Sequence, residues 1–205
     1  MHTLPVYSIV VIFLILTLNF TLLSADRDTV IFTISEDSEV YYTADVRIAL
    51  VSTSTVKGIN TNVNGIIKWV ETESRPIIKA DITINASQFD SGNTSRDSDV
   101  RDILNVEEYP EITFELISLL GIEAKPLEEI SGDFVATGSL SVHGTTKEIS
   151  VPVSLHYTGG MLTVKGSTVA KYTDFGIDPP RVAGFVGRAP DELRLHVNIT
   201  AQRAE

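Results

Sequence analysis

Five stretches of this chain alternate apolar and polar residues with a period of two. Val40, Tyr42, Ala44, Val46 and Ile48 alternate with Tyr41, Thr43, Asp45 and Arg47. The same pattern aligns Ile78, Ala80, Ile82 and Ile84, then Phe134, Ala136, Leu140 and Val142. It returns in Ile149, Val151, Val153 and Leu155, and again in Leu193, Leu195, Val197 and Ile199. Successive side chains of a strand point to opposite faces, so each run has one apolar and one wet face, as antiparallel strands do. One short helix is all that is available to cover so much apolar surface. The sheet must therefore pack on a second sheet or close on itself. The expected fold class is all-β: a single antiparallel barrel of about eight strands with one short α-helix.

Barrels of about eight strands either fill with side chains or hold one small ligand. The inward set is mostly Ile, Val, Leu and Phe, with no ionisable residue at its centre. A hollow interior would be apolar and would suit a long hydrocarbon chain. A solid core has the same pattern, and alternation does not separate the two. Thr158-Gly159-Gly160 predicts a tight hairpin turn.

Helical and strand periods meet in Arg96–Phe114, RDSDVRDILNVEEYPEITF. Thr94 is placed to cap a helix, with Asp97 as the reciprocal partner of a capping box. Val100, Ile103 and Leu104 make a narrow apolar stripe on a helix expected at about Asp97–Leu104. Asn105 and Tyr109-Pro110 stop it, since the residue before proline is pushed out of helical geometry. Ile112, Phe114 and Leu116 then begin a strand. A helix this short is marginal alone and must dock on the sheet as a strap or plug.

The formal net charge of −11, without a basic run, argues against nucleic acid and against electrostatic docking on anionic lipid. The absence of cysteine excludes disulfides, thiolate metal sites, a cysteine nucleophile and an acylated cysteine. Residues 1–25 are read as a secretory signal peptide: Ile9–Leu23 is almost entirely apolar, and Leu23-Ser24-Ala25 precedes the first charges of the mature chain. An uncleaved N-terminal anchor is the alternative, and would be the chain's one tie to a membrane. Residues 26–205 then form one domain, periplasmic or secreted. Monomer and homodimer both remain open.

His143, His156 and His196 lie on separate strands without paired spacing, so no metal site is expected. His143 precedes the turn Gly144-Thr145-Thr146, where it either holds the turn or lies near a ligand. Asp90, Asp97, Asp99 and Asp102 lack the spacing of a calcium loop and read as solvated charge near a helix N-terminus. Arg96 and Asp97 could bridge each other, or Arg96 could clamp a ligand head group, since guanidinium suits phosphate. No nucleophile elbow, phosphate loop or HExxH stretch is present, and neither enzymatic activity nor a cofactor is expected.

Three blocks resemble the YceI-like family of lipid- and polyisoprenoid-binding proteins. Arg96, Asp97, Tyr109, Pro110, Ile112 and Phe114 are similar to its first motif, and Gly138-Ser139-Leu140-Ser141-Val142-His143-Gly144-Thr145-Thr146-Lys147 to its second. Asp174-Phe175-Gly176-Ile177 is similar to its third. Asp99 stands where the family pattern has histidine, and Tyr172 where it usually has arginine. The resemblance implies a lipocalin-like barrel that sequesters or carries a long-chain isoprenoid or acyl lipid, by burial without chemistry. The candidate apolar lining is the inward set around Ile82, Ile84, Phe89, Phe114, Leu116, Phe134, Leu140, Val142, Val151, Val153 and Phe175, several of which must instead be plain core filler, with Arg96, Asp97, Asp99 and His143 as polar mouth or motif residues. A carboxylate at Asp99 disfavours a phosphate head and tolerates a neutral one. The rival is a solid barrel that serves as a protein-interaction module.

Overall fold

The alternating runs form the strands they predict. The structure, a computed structural model, describes residues 29–48, 52–123, 125–180 and 189–204. The N-terminal apolar run lies outside the described residues. The strands are β1 (Thr29–Ile34), β2 (Glu39–Ile48), β3 (Ser52–Asn60), β4 (Val63–Val70) and β5 (Ile77–Asn85). After helix α1 (Thr94–Leu104) come β6 (Glu111–Leu120), β7 (Ser131–Val142), β8 (Thr145–Thr158), β9 (Met161–Lys171) and β10 (Glu192–Arg203). Antiparallel pairing runs β1-β4-β5-β6-β7-β8-β9-β10, and β10 closes the ring on β1. β2 and β3 continue β1 and β4 beyond two bends, and β2 pairs with the other half of β10. The result is the expected eight-stranded barrel.

Both bends are pinned by a fully buried polar side chain. Ser38 Oγ donates to the Thr200 carbonyl at 2.9 Å and accepts from its N–H at 3.0 Å. Asn60 Nδ2 donates to the Asn85 carbonyl at 2.7 Å, while its Oδ1 accepts from Asn62 N–H at 2.9 Å. Asn60→Ala leaves a backbone acceptor and a backbone donor without these partners. It is expected to cost roughly 1–3 kcal/mol in denaturant unfolding.

The interior is solid at one end and hollow at the other. Trp69, Phe32, Leu127, Ile130 and Leu162 are fully buried, and Phe32 meets Tyr157 edge-on at 5.8 Å. They form the floor. Towards α1, the inward residues Phe114, Leu116, Val164, Leu195 and Val197 are only half-buried, although they point into the barrel. Apolar side chains keep accessible surface inside a barrel only where no atoms fill the space before them.

The helix begins three residues earlier than expected and is capped differently. Asn93, not Thr94, is the N-cap, its Oδ1 accepting from Arg96 N–H at 3.0 Å. Asp97 does not complete a capping box. Its carboxylate turns inward, is nearly buried, and accepts from both the backbone N–H and the hydroxyl of Ser91. Asn93 occupies the cap first, which leaves Asp97 free to tie the helix to the loop before it. Asn105 ends the helix in a left-handed conformation.

Candidate functional site

The hollow half is a cavity of about 710 Å³, within the range of small-ligand sites. Its wall consists of inward residues from β4 to β10 together with β2 and β3, almost all aliphatic or aromatic. The lid is α1. Val100, Ile103 and Leu104 face the cavity as their spacing predicts, with Arg96 and Asp99 one turn nearer the N-terminus. Polar character is confined mainly to this end, where Arg96, Asp99, Lys171, Tyr42 and Tyr172 line the opening.

Of the two tyrosines, Tyr172 stood out in the sequence only as a departure from the family's arginine, and Tyr42 only as a member of an alternating run. Tyr42 occupies an inward position of an alternating run, a signal equally compatible with core filling. Its ring lies over Gly58, where a Cβ would come within 2.3 Å of Cε1, and beside Phe89 at 5.7 Å between centroids. Glycine at 58 leaves the space this ring needs. Burial raises the Tyr42 pKa; Arg96 opposes the shift and Asp97 adds to it. Tyr172 is pushed up to about 12, chiefly by burial and secondarily by Tyr42. Both phenols are therefore neutral at pH 7 and can donate or accept a hydrogen bond.

The raised Tyr172 pKa has a consequence for stability. The folded state holds the phenolic proton more tightly than the unfolded chain does. The resulting stability is fully present below pH ~10 and is lost as pH rises towards ~12, a change of roughly 2–3 kcal/mol. Tyr172→Phe is expected to flatten this part of the alkaline unfolding profile.

Ten of the eleven expected lining residues surround the cavity: Ile82, Ile84, Phe89, Phe114, Leu116, Leu140, Val142, Val151, Val153 and Phe175. Phe134 does not. It lies at the floor end of β7, its ring within 4 Å of where a Cβ would sit on Gly121 or Gly132. The alternation gave its face correctly but not its depth. Of the polar group, Arg96 and Asp99 reach the opening, whereas Asp97 and His143 do not.

His143 instead builds a turn. It and Gly144 both have positive φ, 50° and 72°, as a two-residue β7–β8 hairpin requires. The ring of Tyr109 packs against His143 at 5.3 Å and over Gly144, where a Cβ would come within 2.6 Å of it. Among the described residues, no three His, Asp or Glu side chains gather to hold a metal. His196 stacks on Tyr41 at 4.2 Å, while His156 lies beside Ser131 at 3.2 Å.

The third motif closes a gap in the wall. β8 and β9 pair only over Val153–Thr158 and Met161–Gly166. Beyond that they part, bridged by Thr168 Oγ1 donating to the Ser150 carbonyl at 3.0 Å. The 3₁₀ turn Thr173–Phe175 contacts both strands and buries Phe175, and Gly176 leaves it at φ 69°.

The YceI-like domain family matches residues 32–201, nearly the whole described barrel. The chain belongs to the YceI-like family. Among solved structures, BcnA of Burkholderia cenocepacia aligns with a TM-score of 0.64 at 19% identity, covering 82% of this chain and 99% of that one. A Campylobacter jejuni YCEI protein gives 0.60 at 18%, covering 78% and 92%. A polyisoprenoid-binding domain from Saccharophagus degradans, implicated in plant cell wall breakdown, gives 0.58 at 11%, covering 85% and 98%. At these identities the likeness is one of fold. No curated protein sequence matches the chain. In this YceI-like chain the first two motif blocks meet where Tyr109 covers the His143-Gly144 turn. The third lies next to them: a Cβ on Gly176 would come within ordinary contact distance of Thr145 Oγ1.

Proposed function

We propose that this YceI-like protein sequesters or carries one long-chain amphipathic lipid, a polyisoprenoid, quinone-like or fatty-acyl molecule, without catalysing a reaction on it. The observation that carries this reading is the apolar cavity of about 710 Å³ inside a closed barrel. Each methylene buried there contributes roughly 0.8 kcal/mol, so affinity would come from chain length. The relative described as a polyisoprenoid-binding domain supports the lipid class. The opening suits a polar head group with acceptor oxygens: Tyr42 and Tyr172 supply neutral phenols, Arg96 and Lys171 cations, and Asp99 a single opposing carboxylate. The apolar N-terminal run supports a site of action in the periplasm or outside the cell. A filled barrel acting as an interaction module is the weaker reading, because it leaves the hollow half without a purpose.

The chain carries its own reporter. Its single tryptophan, Trp69, lines the cavity near the floor. Titration with decylubiquinone, whose quinone ring quenches indole emission, is expected to give saturable quenching at one equivalent per chain. Quenching that rises linearly without saturation would count against the reading.

A further inference from the structure

We propose that the wall between β5 and β6 is a second opening of the cavity, through which the hydrocarbon end of a long ligand leaves the barrel. This rests on the lipid reading above and adds where the chain goes. β5 and β6 pair only from Asn85–Glu111 to Asp81–Glu115. Each strand then continues without the other. β5 remains paired to β4 as far as Ile77–Val70, and β6 to β7 as far as Leu120–Val135. Two strand segments, Ile77–Ala80 and Leu116–Leu120, thus have no ladder across the wall between them. The register of β6 on β7 shifts between Leu116 and Ser118, and such a bulge bends its strand and increases its twist.

Both faces of the parting are apolar. Inside, Ile78, Ala80, Leu116 and Leu119 line the cavity. Outside, Ile77, Ile117 and Leu120 are 45%, 55% and 57% exposed, three of the five exposed large hydrophobics among the described residues. The other parting, between β8 and β9, is covered by the turn Thr173–Phe175, which contacts both strands and buries Phe175. A chain whose head is held by polar groups under α1 runs down the barrel until it meets the packed floor of Trp69, Phe32 and Leu127. The parting of β5 and β6 lies at the level of that floor, since Ile78 pairs directly with Trp69. A chain too long for the cavity exits there across the lip of Ile77, Ile117 and Leu120.

The test compares a short prenol, farnesol, with a long one, solanesol, on the wild-type chain and on Ile117→Glu/Leu120→Glu. Both substituted residues are exposed, so the fold should persist. The variant is expected to bind farnesol within about twofold of wild type and solanesol at least about tenfold more weakly, because only the long chain crosses the lip. Because the chain has no cysteine, an acrylodan label on Ile117→Cys gives an independent readout. Its emission is expected to shift blue with solanesol and not with farnesol. Unchanged solanesol affinity, or an equal loss for both prenols, would overturn the second opening while leaving the lipid reading intact. Failure of the wild type to bind either prenol would overturn both.

Discussion

Leu195→Trp is expected to weaken lipid binding roughly fiftyfold while leaving the barrel folded. Leu195 points inward from β10, between Tyr42 of β2 and Thr168 of β9, and is only half-buried because it faces the void. An indole there fills space a ligand would use. Displacing about three methylenes, at ~0.8 kcal/mol each, weakens binding roughly fiftyfold. Leu140→Trp supplies the contrast. Leu140 lines the same cavity but is only 7% exposed, in register with Phe114 and Lys147. Here the larger ring has to displace packed neighbours, at an overpacking cost of roughly 1–3 kcal/mol. Calorimetry on both variants, alongside quinone titration, separates them: Leu195→Trp should keep its melting temperature and lose binding, whereas Leu140→Trp should lose melting temperature first. Equal destabilisation of both would mean that the space before Leu195 is not empty.

Gly138→Val is expected to produce the largest loss of stability. A Cβ at Gly138 would come within 2.3 Å of the Phe114 ring and 2.5 Å of the Glu115 carbonyl oxygen. The carbonyl belongs to the paired strand and cannot swing away as a side-chain tip can, so β6 and β7 would have to separate. A cost of about 3 kcal/mol or more follows. At about 2–4 °C per kcal/mol for a domain of this size, the melting temperature falls by roughly 6 °C or more. Gly138→Val/Phe114→Ala should recover only part of that loss, because the carbonyl clash remains. Full recovery would place the whole conflict in the ring.

Gly138 shows what was legible in the sequence and why. Its motif block pointed to family and fold, but the reason for glycine is a close approach from β6, and a single strand's sequence does not display its neighbour. The alternating runs gave the face of nearly every inward residue, since a period of two depends only on local geometry. Depth along the barrel depends on register with other strands. That is why Phe134 was expected in the lining and lies at the floor end. Hollow and filled interiors share one pattern, and the difference emerged only from half-buried inward residues such as Val164 and Leu195. That Tyr42 and Tyr172, the latter noted only as a motif departure, meet at the opening was not legible, because that face is composed across three elements: β2, the segment after β9, and α1. The helix was legible as a stripe, while its cap was decided by competition between Asn93 and Thr94. The two bend-pinning residues, Ser38 and Asn60, carried no signal beyond being polar.

The central claim is that the hollow half of the barrel holds a lipid. It is tested most directly by native mass spectrometry of the full chain, purified from a secretory host, followed by lipid extraction and fragmentation. The expected result is a discrete excess mass released at one equivalent per chain, with a prenyl or acyl ladder on fragmentation. The protein mass in the same spectrum shows whether residues 1–25 have been removed. A clean protein mass that stays clean after incubation with farnesol and decylubiquinone would contradict the claim.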